Sequence, residues 1–332
     1  GNVRDAVHAS GIRYHVYGPH YFRTNDDAIW SFATRFGAFY PYAPALKSWV
    51  DGRHENWPIA ESYIRGQIGS AWQPEYTGIP RNFEEASLAL MPRLIYERFV
   101  AGYTRKQWGV APALLAASLA KRFDVRADDD PRLMRHRHQG LPVDGYSAWM
   151  AKMLDGIEVL LNCDYLENRE AFSDENLVVY TGAIDEYYGF DLGRLRYRGQ
   201  RREHEYLPGV DWAQPCGQVN NPDLENGAHI RTLEWKHMLP PVEAERLHGT
   251  LLTRETPEDP TTSDGFEYPF PDSGNTSLYT RYKERAAAET RLVFCGRLGE
   301  YRYYDMDQAI ARAILIAEQL LLGRSGWEVL LR

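Results

Sequence analysis

A short apolar run, Leu292-Val-Phe294, passes through Cys295-Gly296 into Arg297-Leu-Gly-Glu-Tyr-Arg-Tyr-Tyr-Asp-Met-Asp-Gln308. The apolar run before a glycine predicts a buried strand. Beyond it Ile310, Ile314, Ala317 and Leu321 recur with a period of about 3.6, which predicts a helix beginning near Asp305. Asp305 and Gln308 stand at capping-box spacing. Strand, glycine turn and helix in this order constrain the chain to an α/β arrangement. A helix N-terminus offers unpaired N–H groups and a partial positive charge, so it suits an electron-rich ligand edge. Tyrosines and an arginine crowd the approach to it, which points to a cofactor or an anionic substrate.

The rest of the chain alternates between helical and strand-like stretches. Ile12-Arg-Tyr-His-Val-Tyr17 alternates like a strand, and Gly18-Pro19 breaks it. Residues 28–60 read as one short helix among Pro-rich loops. Asn82 with Glu85 marks a helix start, and Leu88, Met91, Ile95 and Phe99 form one face. A second helix is expected from Leu114 to Arg122 and another from Gly145 to Leu154. Glu158-Val-Leu-Leu-Asn162 and Leu177-Val-Val-Tyr180 read as short strands, the second ending at Thr181-Gly182. Residues 187–270 read as several strands with polar turns. Within them Arg194-Leu-Arg-Tyr-Arg-Gly-Gln-Arg-Arg202 is basic and alternating, as expected of a solvated strand face or of a phosphate-binding role.

Composition narrows the function classes. A length of 332 residues is enough for two domains. A net charge of −8 argues against nonspecific nucleic-acid binding. No apolar run is long enough for membrane insertion. Cys163, Cys216 and Cys295 lie far apart with no CxxC pair, so neither a zinc site nor a disulfide framework is expected, and a reducing cytoplasm fits. The 22 Tyr and 9 Trp offer either stacking surfaces for sugars and rings or filling between subdomains.

Four segments then carry a resemblance: Tyr17-Gly-Pro-His20, Gly102-Tyr-Thr-Arg-Lys-Gln-Trp-Gly109, Tyr180-Thr-Gly-Ala-Ile-Asp185 and Gly296 to Gln308. In this order and spacing the chain resembles the UDP-galactopyranose mutase family, flavoenzymes that contract the galactose ring. The resemblance runs from Gly1-Asn2 to the last helix. It implies FAD as cofactor, active when reduced, and a nucleotide-sugar substrate. It implies interconversion of the pyranose and furanose forms of UDP-galactose or a related nucleotide sugar, through an adduct between flavin N5 and the anomeric carbon. It also implies a mixed α/β fold: an incomplete FAD-binding Rossmann-type domain (1–37, 136–186 and 286–332), a helical-bundle insert (61–120) and a twisted antiparallel-sheet insert (38–60, 121–135 and 187–285). Members are often homodimers.

Residue roles follow from the resemblance position by position. Arg122 and Arg231 match arginines beside the diphosphate leaving group, where a guanidinium can fork onto phosphate oxygens and stay charged. Tyr268 and Tyr303 match tyrosines that hydrogen-bond the diphosphate. Phe99, Tyr103, Thr104 and Trp108 match the helical wall that receives nucleotide and sugar. Asp305 matches a residue beside both substrate and flavin. Arg297 matches a flavin contact, and His20 a histidine next to the flavin with a catalytic role. Gly1, Asn2, Tyr17, Thr181, Gly182, Gly296, Met306 and Gln308 complete the expected cofactor-binding set.

The chain also departs from the family pattern. Arg23 stands where a second histidine is usual, Leu133 where a tyrosine is expected, Ala60 in place of Asn, and His229 in place of Tyr. These positions lie on the nucleotide and sugar side, so a changed nucleotide-sugar specificity is expected. No GxGxxG occurs in the chain. That turn lets backbone approach the FAD pyrophosphate, so weak or no FAD binding is expected without it. Two other readings stand beside the mutase: a flavin-dependent oxidoreductase on an amine-oxidase-like scaffold, and a fragment inactive because the FAD pyrophosphate loop is absent, or a sugar-binding remnant.

Overall fold

The computed structural model describes residues 3–122, 125–173 and 177–322. The chain opens with a hairpin, β1 (Asp5–Val7) and β2 (Arg13–His15), then β3 (Phe22–Thr24), α1 (Asp27–Thr34) and β4 (Phe39–Pro41). A second hairpin follows, β5 (Leu46–Val50) and β6 (Arg53–Trp57), then β7 (Ile59–Ala60) and α2 (Glu61–Ile68). The helical region holds α3 (Phe83–Leu88), α4 (Arg93–Tyr96), a π-helical turn at Glu97–Ala101 and α5 (Gly102–Trp108). Next come β8 (Val125–Arg126), β9 (His138–Pro142), α6 (Tyr146–Met153), β10 (Val178–Tyr180) and α7 (Ile184–Tyr187). The largest sheet receives β11 (Tyr197–Leu207), β12 (Gln218–Asn220), β13 (Arg231–Glu234), β14 (Thr250–Glu258) and β15 (Tyr268–Pro269), with α8 (Pro241–Ala244) between β13 and β14. The described chain ends with α9 (Ser273–Ala286), β16 (Leu292–Phe294), α10 (Gly296–Gly299) and α11 (Met306–Leu321).

A seven-stranded sheet in the order β15-β11-β14-β13-β12-β5-β6 dominates the molecule. It is antiparallel except where β5 runs parallel to β12. Beside it lie a three-stranded antiparallel sheet, β3-β9-β4, and a parallel pair, β10-β16. The fold is therefore mixed α/β, as expected.

Local sequence explains most of these elements. Asn82 accepts the Glu85 N–H at 2.9 Å and starts α3 as an N-cap. Leu88, Met91, Ile95 and Phe99 all face the helical core. Pro92 has no N–H to give, so the helix breaks there and resumes at Arg93. Gly109 takes a left-handed conformation (φ 68°) and stops α5.

Four expectations are corrected. The region 28–60 is not mostly loop, because Asp51 (φ 50°) and Gly52 (φ 75°) form a two-residue turn joining β5 to β6. Leu114 to Arg122 makes two 3₁₀ turns, not an α-helix, because Leu115 O accepts from Phe83 and the Ala116 N–H goes to Pro271 O. Glu158 to Asn162 forms no strand, and Val159 and Leu161 are exposed, since β10 and β16 pair with each other and not with this run. On α11, Ile310 and Ile314 pack inward, but Ile316 and Leu320 complete the buried side and Leu321 is exposed.

Helix α5 lies hard against the loop after β12. A Cβ at Gly102 would come within 2.0 Å of the Pro222 carbonyl oxygen. Gly102→Ala should therefore cost about 1–3 kcal/mol, because only backbone movement can relieve the clash. Urea denaturation checks this. A variant as stable as the parent would show that helix and loop do not meet.

Candidate functional site

The register of the large sheet sets the site. Arg202 on β11 opposes Glu255 on β14, which opposes Arg231 on β13, which opposes Asn220 on β12. Directly opposed residues share one face, so these polar side chains form a row across the sheet. Arg202 Nε donates to Glu255 Oε1 at 2.9 Å, and Arg231 Nε donates to Glu255 Oε2. Arg202 also forks onto Glu267, with N–H bonds of 2.7 and 2.9 Å. The Glu255 side chain is 0% exposed.

Burial would push the Glu255 carboxyl up, but the two guanidiniums outweigh it and hold the group below its usual range. Burial would likewise discharge Arg231, yet Glu255, with Tyr103 and Tyr268 nearby, holds its proton more firmly than usual. Glu267 goes the other way, because burial outweighs its share of Arg202.

The Tyr17–His20 turn closes directly over this row. Gly18 has φ +86°, and a Cβ there would lie 2.6 Å from Glu255 Oε1. Only glycine allows that approach. Next along the chain, Tyr21 and Arg23 turn to the side opposite the buried Phe22. The Tyr21 hydroxyl donates to Gln218 Oε1 at 3.4 Å, bridging the small sheet to the large one. The two polar faces thus confront each other, and the region between them is the candidate cleft.

A tyrosine wall borders the cleft. Tyr268 and Tyr303 stack with centroids 6.1 Å apart and planes 7° from parallel. Burial pushes the Tyr268 hydroxyl up to about 12. Arg297 lies 4.4 Å from the Tyr303 ring centroid and donates to the carbonyls of Glu267 (2.9 Å) and Tyr304 (2.8 Å). Asp305 starts α11, its N–H donating to Gln308 Oε1 at 3.1 Å. The Asp305 carboxylate accepts from Arg23 (2.9 Å) and from the Tyr303 hydroxyl (3.3 Å). Arg23, Arg202, Arg231 and Arg297 face Glu255, Glu267 and Asp305, which leaves the cleft an excess of positive charge. Such a cleft suits a diphosphate.

His20 Nδ1 meets the Gly18 carbonyl at 2.8 Å, and the His20 carbonyl accepts from the Tyr146 hydroxyl at 3.0 Å. Burial, helped by His15 and Arg297, lowers the imidazole pKa to about 3, and burial with Arg13 lowers His15 to about 3. Both rings are neutral near pH 7. The unfolded chain binds these protons at about 6.5 and the folded chain does not. Stability should therefore fall as pH drops from 7 to 5, read as a falling urea midpoint. A flat midpoint over that range would contradict these environments.

The sequence pattern that describes the UDP-galactopyranose mutase family matches residues 98–303. The chain belongs to this family. It is 32% identical to the dTDP-fucopyranose mutase of Escherichia coli, over 93% of this chain and 85% of the relative. It is 31% identical to a probable UDP-galactopyranose mutase of Klebsiella pneumoniae, over 96% of this chain and 84% of the relative. A crystal structure of reduced UDP-galactopyranose mutase shares the fold with a TM-score of 0.70 at 14% identity, covering 97% of this chain and 86% of that one.

The structure brings together part of the set that the family resemblance singles out. His20, Tyr103, Arg231, Tyr268, Arg297, Tyr303 and Asp305 gather around the cleft. Thr104 and Trp108 are buried, with Trp108 edge-on to Tyr268 at 6.5 Å. Phe99 belongs to the helical core instead, packed against Tyr63 at 5.4 Å. Met306 packs in the core beneath the small sheet, and Gln308 serves as a helix cap. Tyr17 leads into the Gly18 turn, and Thr181 and Gly182 follow β10. Arg122 ends a 3₁₀ turn, and its side chain, like Gly1 and Asn2, lies outside the described residues.

Sequence reasoning missed Arg202, Glu255 and Glu267. The basic run 194–202 is not a solvated face: Arg198 is buried and donates to Asp259 and to the carbonyls of Lys106 and Gln107, and Arg202 sits inside the network. The signal was the two-residue spacing of Arg198, Gln200, Arg202 and His204, which puts them all on one strand face.

The residues present fit the ring end of a flavin. Gly296 has φ +82°, and a Cβ there would meet open space, so its backbone is accessible. Arg297 offers a cation and His20 a neutral imidazole beside it. A separate surface groove of 460 Å³, lined by Trp49, Asp51, Arg98, Arg105 and Asp223, contains none of the cleft residues.

Proposed function

We propose that this chain interconverts the pyranose and furanose forms of a nucleotide-bound galactose or a closely related sugar, with FAD as its cofactor. The observation that carries this reading is the Arg202–Glu255–Arg231 row facing Tyr268, Tyr303 and Arg297 across one cleft, in a chain of this family. Reduced flavin, when bound, supplies the nucleophilic nitrogen for the anomeric carbon.

The chain's own residues do the remaining work. Arg231, held in place by Glu255, neutralises the departing diphosphate. The Tyr268 hydroxyl, which burial keeps protonated at neutral pH, donates to its oxygens, with the Tyr303 ring stacked beside it. Arg297 would offset the negative charge of a reduced isoalloxazine bound in the cleft. His20, neutral, keeps a second positive charge out of the flavin edge.

The proposed division of labour assigns 1–37, 136–186 and 286–332 to flavin, 61–120 to the helical wall, and 38–60, 121–135 and 187–285 to the substrate sheet.

The test is turnover. Protein supplied with FAD and reduced with dithionite is incubated with UDP-galactofuranose, and the products are separated by anion-exchange chromatography. UDP-galactopyranose should form without net oxidation. Bound, reduced flavin with no conversion of either UDP-galactofuranose or dTDP-fucofuranose would refute the proposal.

A further inference from the structure

The small sheet presents an arrangement that the proposed reaction does not use. Arg23 on β3 and Gln139 on β9 are directly opposed, so both side chains rise from the same face, toward the cleft. The Gln139 Nε2 group donates to two main-chain carbonyls, Met134 at 3.2 Å and His136 at 3.1 Å. Two acceptors on that side fix the amide orientation, since a flipped amide would set oxygen against oxygen. Its Oε1 is therefore defined, and it is buried with no partner. His136 Nδ1, from the same turn, is likewise buried and unpartnered.

The His136 ring lies near the Arg23–Asp305 ion pair, and Gln139 is the register partner of Arg23. The charges of Arg23, Asp305 and Asp307 all act on the His136 ring. A buried acceptor without a donor is costly, and native proteins rarely leave one so. Guanidinium carries several N–H groups, and Asp305 accepts from one of its nitrogens. The place thus offers a fixed acceptor from Gln139, a ring nitrogen from His136 and cationic donors from Arg23. A hydroxyl satisfies this set, because it donates once and accepts in return. A methyl group would leave the acceptor orphaned.

We infer that Arg23, His136 and Gln139 form a subsite that reads one hydroxyl of the substrate's sugar. This rests on the cleft being a nucleotide-sugar site, and it makes these residues determinants of which hexose is accepted. The family comparisons make the distinction relevant, because one relative is named for galactose and another for fucose.

Calorimetric titration with UDP, with UDP-galactose, and with UDP-galactose analogues each lacking one hydroxyl tests the inference. For one analogue, the parent protein should lose at least about tenfold in affinity relative to UDP-galactose. Gln139→Leu should bind UDP as the parent does, and should no longer distinguish that analogue from UDP-galactose. An unchanged thermal midpoint in Gln139→Leu, together with its unchanged UDP affinity, would exclude a folding defect in that variant. If UDP binds but every analogue loses as much affinity in Gln139→Leu as in the parent, the subsite is refuted. If the parent distinguishes none of the analogues, it is refuted equally. Failure of UDP to bind would instead remove the nucleotide-sugar reading beneath it.

Discussion

Replacing Glu255 with leucine should destabilise the protein by about 3–5 kcal/mol, because removing one partner leaves buried charge uncompensated. Glu255 is the common partner of Arg202 and Arg231 and its side chain is 0% exposed. Arg202 keeps Glu267, but among the described residues Arg231 keeps no carboxylate partner. Guanidine or thermal unfolding would show the loss directly. A loss under about 1 kcal/mol, typical of an exposed pair, would mean the row is solvated.

The sign of the pH dependence follows from the same pair. The folded Glu255 carboxyl is held below its ordinary range. Its contribution is fully present above the unfolded pKa of about 4.3 and is lost as pH falls through the folded value. The leucine variant should therefore lose less stability than the parent on acidification below that point.

Arg231→Lys should lower kcat/KM for the nucleotide sugar by at least about 100-fold, the scale set by removing one donor from a developing oxyanion. Lysine keeps the charge that Glu255 needs, so the fold should survive. It cannot fork onto both Glu255 and a phosphate, which is why the exchange is not conservative here. The loss should fall mainly on kcat if Arg231 acts on the departing diphosphate, and mainly on KM if it only holds the ground state. Activity within about threefold of the parent would remove Arg231 from the reaction, since a lost oxyanion donor costs far more.

Much of the fold was legible where local chemistry decides it. Asn82, Pro92 and Gly109 mark helix boundaries through a cap, a missing N–H and a left-handed stop. The strand at Leu292–Phe294 and the α11 start at Asp305 are equally local. The Asp51-Gly52 turn was legible too, because an Asp-Gly pair favours positive φ at both positions, yet proline-rich surroundings obscured it. What could not be read locally was pairing. Glu158 to Asn162 has strand composition, but a strand needs a ladder partner. The basic run 194–202 has surface composition, but pairing with β14 places Arg202 against Glu255, fifty-three positions away. The family pattern supplied Arg231, Tyr268 and Asp305. It did not supply Glu255, the group that orients Arg231.

Hydrogen–deuterium exchange with and without UDP-galactose tests the location of the site most directly. The expected result is slowed exchange in 18–23, 229–234, 253–257, 266–269 and 301–306, the segments that form the two polar faces and the tyrosine wall. Protection confined to 49–52, 97–105 and 222–224, around the surface groove at Trp49, would contradict the assignment of the cleft as the site.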